Sequence, residues 1–331
     1  MSEAARRIEV WVVLPPRVLL LDVAGPLEVL RRATIEQNAI VFDVRYASAA
    51  PRVQSSIGLA LAGIEPLPDS IGDDAMVIVP GTADAIAFAA DAPEDDVARH
   101  EDAIVAWLAR RVRAEHLLVS ICSGALLAAR AGLLDGRDCT THFSCCAELA
   151  SLAPRARVIE NRLYVTDGNR CSSAGVTAGT DLMLHLVGCL LGPAIASSIA
   201  RHLVVYLRRS GADPQLSPWL EGRNHIHPAV HRAQDAIAAD PSHAWTLAEL
   251  ARVASTSARH LSRLFNEHAG MGIPAYVNGL RVALARELIG ETRLDMERVA
   301  ERSGFASARQ LRRAWRRSYA TPPQAARVAA R

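Results

Sequence analysis

A short pattern occurs twice near the end of the chain, and this repeat limits the fold more than any other feature. Leu247-Ala-Glu-Leu-Ala251 and Met296-Glu-Arg-Val-Ala300 share one apolar-x-x-apolar-Ala order. Each is followed by a serine, Ser257 or Ser307, then by Ala-Arg and a helical run ending in an aromatic, Phe265 or Trp315. The two Ser-Ala-Arg segments stand 50 residues apart. A serine N-cap opening each second segment, repeated at this period, describes one helix-turn-helix unit used twice. Helical spacing places Leu261, Leu264 and Phe265 on one face, to pack against Leu247, Leu250 and Ala251. Arg259 and Arg263 fall on the opposite face, with Ser257 and His260 beside them at the helix start. In the second copy Leu311 and Trp315 turn inward, while Arg309, Arg312, Arg313 and Arg316 project outward.

An outward arginine on such a helix can enter the major groove and bond guanine O6 and N7 together, for ~1–3 kcal/mol of base discrimination. Other arginines meet phosphates and add affinity that depends on salt but not on base sequence. The charge distribution agrees. All 37 basic residues are arginine, a uniformity that reflects coding bias more than function. Residues 1–221 hold 20 Arg against 26 Asp and Glu, a net −6, whereas residues 222–331 hold 17 against 9, a net +8. An acidic front joined to a basic tail indicates that the tail meets a polyanion.

Residues 247–327 resemble the DNA-binding domain of the AraC/XylS family of bacterial regulators. The resemblance rests on Leu247-Ala-Glu-Leu-Ala251, Ser257-Ala-Arg259, Arg263-Leu-Phe265, Gly272-Ile-Pro274-Ala-Tyr276, Arg281, Ala285, Val299-Ala300, Gly304-Phe305 and Pro322-Pro323. It implies a central helix around residues 274–289 that holds the two units about one DNA turn apart. Leu311 replaces a usual aromatic, and Ala325 or Ala326 stands where a tyrosine is usual; both read as packing changes.

The 331 residues suit about two domains of roughly 150 residues each. Half the residues are hydrophobic, which excludes disorder over most of the length. Segments 10–14, 42–47, 76–79 and 116–121 read as buried strands, and 22–32, 96–114 and 124–134 as helices between or after them. Repeated strand-helix units of this kind form a parallel sheet with helices on both faces. Residues 158–165 with Asp167-Gly168 read as a hairpin added to that sheet. Helices follow at 175–191 and 194–209. The expected architecture is α/β: a doubly wound, mostly parallel sheet, then an all-α domain with two helix-turn-helix units. The expected boundaries are a first domain at 1–210, a Pro/Gly-rich linker at 211–228 and a DNA-binding domain at 229–331.

Cys122 lies in Val119-Ser-Ile-Cys-Ser-Gly124, between a strand and a helix of small residues. That is the setting of a nucleophile elbow, where the helix N-terminus favours a thiolate and offers N–H groups to an oxyanion. Asp22-Val-Ala-Gly25-Pro26, Val79-Pro-Gly81, Cys122-Ser-Gly124, Ala131-Gly-Leu-Leu-Asp-Gly136, Thr140-Thr-His142 and Ser173-Ala-Gly175 with Gly179-Thr-Asp181 are similar to the ThiJ/PfpI family. The resemblance implies a flavodoxin-like, amidotransferase-like fold and a ligand-sensing and dimerisation role for residues 1–210; some members are cysteine-dependent hydrolases or hydratases, with a carboxylate at the Asp22 position beside the thiol. The resemblance therefore implies a ligand crevice at Asp22, Gly81, Thr82, Cys122, Ser123 and His142. Three roles for Cys122 stay open: lining a pocket as an inherited elbow, covalent or redox sensing, and turnover. Asp22 either caps the first helix or faces the pocket. No His-x-Glu late in the domain completes a glutaminase triad.

Cys139-x-x-His142-x-x-Cys145-Cys146 has ligand types that suit zinc, yet no second cysteine pair at finger spacing accompanies it. No metal and no cofactor are therefore expected. The six cysteines follow no disulfide framework, and no leader-like segment opens the sequence, so reduced thiols in the cytoplasm are expected. No uninterrupted apolar run is long enough for a membrane span, since 175–200 is broken by Asp181 and His185. An AraC-type domain behind a ThiJ/PfpI-like one implies a non-enzymatic regulator. Its partners are double-stranded promoter DNA, a small-molecule effector, a second copy in a homodimer and, where it activates, RNA polymerase.

Overall fold

The computed structural model describes residues 5–88, 93–205, 209, 211, 215, 221–223, 225, 227–319 and 321–324. The chain divides into two compact units, Met1–Gln215 and Leu216–Arg331.

The first unit is built on strands β1 (Arg6–Val13), β2 (Ile40–Ser48), β3 (Val53–Gln54), β4 (Ala60–Leu61), β5 (Glu65–Pro66), β6 (Met76–Val79), β7 (Leu117–Ile121), β8 (Asp138–Cys139), β9 (Arg157–Val158), β10 (Tyr164–Asp167) and β11 (Arg170–Ser173). Its helices are α1 (Leu20–Glu36), α2 (Glu94–Arg111), α3 (Gly124–Arg130), α4 (Cys146–Leu152), α5 (Thr177–Leu191) and α6 (Pro193–His202). Seven strands form one sheet in the order β10-β11-β7-β6-β1-β2-β5, parallel except at the β10–β11 hairpin. Alternation along each strand feeds two cores. Val10, Val12, Ile78 and Val119 face the layer of α1, α5 and α6, whereas Val13, Val77, Val79 and Leu118 face α2 and α3.

The doubly wound sheet agrees with the sequence reading, but three local expectations do not. A hairpin does turn just after Asp167, but it is β10–β11, and its first strand starts only at Tyr164, because Arg157-Val158 pairs instead with β8. Pro26 sits inside α1 and not in its first turn, since the helix starts at Leu20. The last helix of the unit ends at His202, and residues 206–208 of the expected 194–209 helix lie outside the described residues. Most of segment 211–228 also lies outside them. Its described end is tied to the second unit: Gln234 donates to the Gly222 carbonyl at 2.8 Å, and Arg223 pairs with Asp235.

The second unit contains α7 (Pro228–Ala239), α8 (Leu247–Val253), α9 (Ala258–Ala269), α10 (Ile273–Glu291), α11 (Met296–Arg302) and α12 (Ala308–Ser318). Two separate cores share one helix. Tyr276, Val277 and Leu280 of α10 pack with α7, α8 and α9, while Val282, Ala285 and Ile289 pack with α11 and α12. The central helix is thus where the sequence put it. Leu247 is the exception within the packing scheme: at the first position of α8 it stays exposed, and Leu250, Ala251 and Ala254 carry the contact. Among the described residues no helix is long and apolar enough to cross a membrane. Ala325 and Ala326 lie outside the described residues.

Candidate functional site

β7 ends at Ile121, and the chain turns sharply through Cys122, whose φ of 54° is unusual for a side-chain-bearing residue. Two glycines from distant segments make room for the turn. A Cβ on Gly175 would sit 2.2 Å from the Cys122 Cβ, and one on Gly81 would sit 2.8 Å from it. Thr141 braces the elbow by donating its hydroxyl to the Cys122 carbonyl at 2.7 Å. Ser123 Oγ accepts the Thr82 N–H at 2.8 Å and donates to the Thr82 carbonyl at 3.1 Å.

Asp22 lies beneath this turn, fully buried in the first turn of α1. It does not cap the helix, because Leu19 occupies that position without a side-chain bond. One carboxyl oxygen accepts the Val176 N–H at 2.6 Å and the other the Gly81 N–H at 3.1 Å. Burial raises its pKa from 3.8 to about 6, against the pull of those N–H groups and a bond to the Cys122 thiol. Cys122 is only 5% exposed. Its thiol is pushed up to about 12, first by burial and then by the Asp22 charge. The thiolate expected from the helix N-terminus is therefore not the resting form. α3 spans only seven residues, and burial outweighs its dipole here.

The structure brings Asp22, Gly81, Thr82, Cys122 and Ser123 together. His142 is not hydrogen-bonded to Cys122 or Asp22 among the described residues. Its Nδ1 instead meets Ser144 Oγ at 2.6 Å and caps a short 3-10 turn, Phe143–Cys145. Burial lowers its pKa. The sequence reading did not place two groups at the elbow: Cys145, noted only within the 139–146 cluster, which bears electrostatically on the Cys122 thiol, and the Val176 amide, which nothing in its local sequence marks.

All described cysteines are free. Among the described residues the one group spaced to hold a metal is Asp73, Glu115 and His116, not the 139–146 cluster. His116 Nδ1 accepts the Arg113 N–H at 3.0 Å, which leaves the ring proton on its buried Nε2. That nitrogen then has no lone pair to offer a cation.

In the second unit Ser257 caps α9 by accepting the His260 N–H at 3.3 Å. Arg259, His260 and Arg263 are exposed; Arg263 pairs with Glu267 at 3.2 Å and meets His260 Nδ1 at 3.3 Å. Ser307 caps α12 in the same way through the Gln310 N–H. Arg309, Arg312, Arg313 and Arg316 are exposed, and none pairs with a described residue. Arg317, unremarked in the sequence reading, extends that surface. A capping box at Thr246 and Glu249 opens α8 and was legible as Thr-x-x-Glu. Gly304, at φ +80°, turns α11 toward α12; a Cβ there would lie 2.6 Å from the Ser242 carbonyl.

Residues 8–188 match the DJ-1/PfpI family, and residues 250–329 match a helix-turn-helix domain. The HTH-type transcriptional regulator GbdR of Pseudomonas aeruginosa is 31% identical over 220 residues, covering 66% of this chain. The chain spans 60% of that relative's length. An isonitrile hydratase of Pseudomonas putida is 30% identical over 196 residues, covering 59% of this chain and 78% of the hydratase. The crystal structure of a ThiJ/PfpI family protein from Pseudomonas syringae aligns with a TM-score of 0.50 at 22% identity, over 76% of this chain and 90% of that one, a likeness of fold alone. With the elbow, the doubly wound sheet and the paired helix-turn-helix units in place, the chain belongs to the DJ-1/PfpI family and carries an AraC-type helix-turn-helix domain behind it.

Proposed function

We propose that this protein is a sequence-specific, DNA-binding transcriptional regulator whose first unit senses a small metabolite. The observation that carries the reading is the pair of capped, arginine-faced helices α9 and α12, packed on the single helix α10. Ser257, Arg259, His260 and Arg263 form one DNA-contacting surface, and Arg309, Arg312, Arg313 and Arg316 the other. Base-edge contacts come from the N-terminal arginines, and phosphate contacts from the rest. The effector binds in the crevice of Asp22, Gly81, Thr82, Cys122, Ser123 and His142, and shifts how two copies in a homodimer present their basic units to promoter DNA. A protein that activates in this way also meets RNA polymerase. The protonated thiol and the commitment of His142 to Ser144 favour binding over turnover.

The test is promoter binding by the full chain, on fragments selected from genomic DNA. Arg259→Ala with Arg263→Ala lowers specific affinity by at least tenfold and leaves affinity for random duplex within a few-fold. Unchanged specific binding overturns the assignment of α9.

A second reading is favoured by the contact between the Asp22 carboxyl and the Cys122 thiol. In a cysteine-dependent hydrolase or hydratase the carboxylate draws the thiol proton as sulfur attacks an electrophilic carbon. That reading requires turnover of an isonitrile or amide that disappears in Cys122→Ala. The regulator reading requires that the same variant change the effector response and keep basal DNA binding.

A further inference from the structure

The first unit also holds an apolar recess apart from the elbow. A cavity of about 590 Å³ opens on the other side of α1, between that helix, β2 and the β4–β5 stretch. Its floor is made of core residues: Leu14, Leu30 and Phe42 line it while being only 2%, 1% and 7% exposed. The cavity exists because β2 lacks a partner strand along most of its outer edge. β1 pairs with it throughout, whereas β5 reaches only Ala47 and Ser48, so the Phe42, Val44 and Tyr46 side of the strand is left open beneath α1.

The polar groups at the mouth define what fits. Glu28 and Arg31 already neutralise one another at 2.7 Å. The Thr34 hydroxyl is taken by the Leu30 carbonyl at 3.1 Å. The Tyr46 phenol remains, with its proton held more firmly by burial and the nearby Glu28 charge. Among the described lining residues no charge is left unpaired, so a charged ligand gains nothing there and loses its hydration. The volume lies within the range of about 300–1,000 Å³ that holds drug-sized molecules, and an apolar wall with one hydrogen-bonding group is the usual make-up of such a site. A flat protein partner would cover the rim and leave the floor empty.

We propose that this cavity is a binding site for an uncharged lipophilic small molecule, aliphatic or aromatic, whose single hydrogen-bonding end meets Tyr46. The site is separate from the elbow and stands whether or not the elbow takes an effector.

The test uses the full chain and the neutral fluorescent probe N-phenyl-1-naphthylamine. The titration saturates at one probe per chain. Ala24→Trp, at the exposed mouth, weakens the probe at least tenfold while thermal unfolding shows the fold intact. Tyr46→Phe weakens 1-naphthol roughly threefold or more relative to 1-methylnaphthalene, the loss of one hydrogen bond. Three results overturn the proposal. One is binding that does not saturate or that survives Ala24→Trp. Another is a probe lost in Cys122→Trp and kept in Ala24→Trp, which places it at the elbow. The third is a dimer that dissociates in Ala24→Trp as the probe is lost, which gives the groove to a second copy.

Discussion

Cys122 combines a strained backbone with a thiol that burial keeps protonated. With its pKa near 12, the thiolate is scarce at neutral pH. Iodoacetamide at pH 7.5 should therefore modify exposed Cys189 well before Cys122, at least tenfold faster by mass spectrometry of the native protein. Equal rates would show an activated thiol. Asp22 supplies a second measurement. Its folded pKa, about 6, lies above the unfolded 3.8, so the folded state holds the proton more tightly. This contribution is fully present below about pH 4 and is lost as pH rises through 6. Two pKa units correspond to about 3 kcal/mol. Chemical denaturation should show wild-type stability falling by about that amount, relative to Asp22→Asn, between pH 4 and pH 7. A flat difference would mean that the carboxyl is not buried. The elbow itself was legible in Ile-Cys-Ser-Gly between a strand and a helix. The state of its thiol was not, because Gly81, Gly175 and Asp22 shield it from segments far away in sequence.

At the scale of elements, the helix-turn-helix pair was readable because duplication, serine caps and outward arginines all repeat. The hairpin was only partly readable, for the opposite reason. β11 reads Arg-Cys-Ser-Ser, yet all four residues are buried. Two of its polar side chains are met by backbone: Ser172 accepts the Thr140 N–H at 2.8 Å, and Arg170 donates to the carbonyls of Arg113 and His116, while the buried Ser173 hydroxyl has no partner among the described residues. A strand satisfied in this way carries no hydropathic signature. Gly304 offers a test of the α11–α12 turn. A Cβ there meets the Ser242 carbonyl and the Arg281 guanidinium, and the backbone is left-handed. Gly304→Ala should destabilise the second unit by about 2 kcal/mol, read as an earlier unfolding transition of that unit alone. Loss of cooperativity in the first unit instead would contradict the division at Gln215.

Across the whole molecule, charge is segregated with the fold: net −6 over residues 1–221, from 20 Arg against 26 acids, and +8 over the remainder, from 17 against 9. On the proposed function the acidic part would repel a phosphate backbone, so duplex binding should fall to the basic unit and weaken steeply with salt. In a plot of log affinity against log salt, Arg312→Ala or Arg316→Ala should each reduce the slope by about one if the side chain meets a phosphate. Arg259→Ala should change base preference more than slope.

Because α10 belongs to both small cores, the spacing of the two helix-turn-helix heads is built into one rod of 19 residues. Neither head can swing without breaking a packed interior. If the second unit binds duplex DNA as proposed, it acts as a gauge: five base pairs inserted between its two contacts would turn one groove to the far side of the duplex, and specific affinity should be lost.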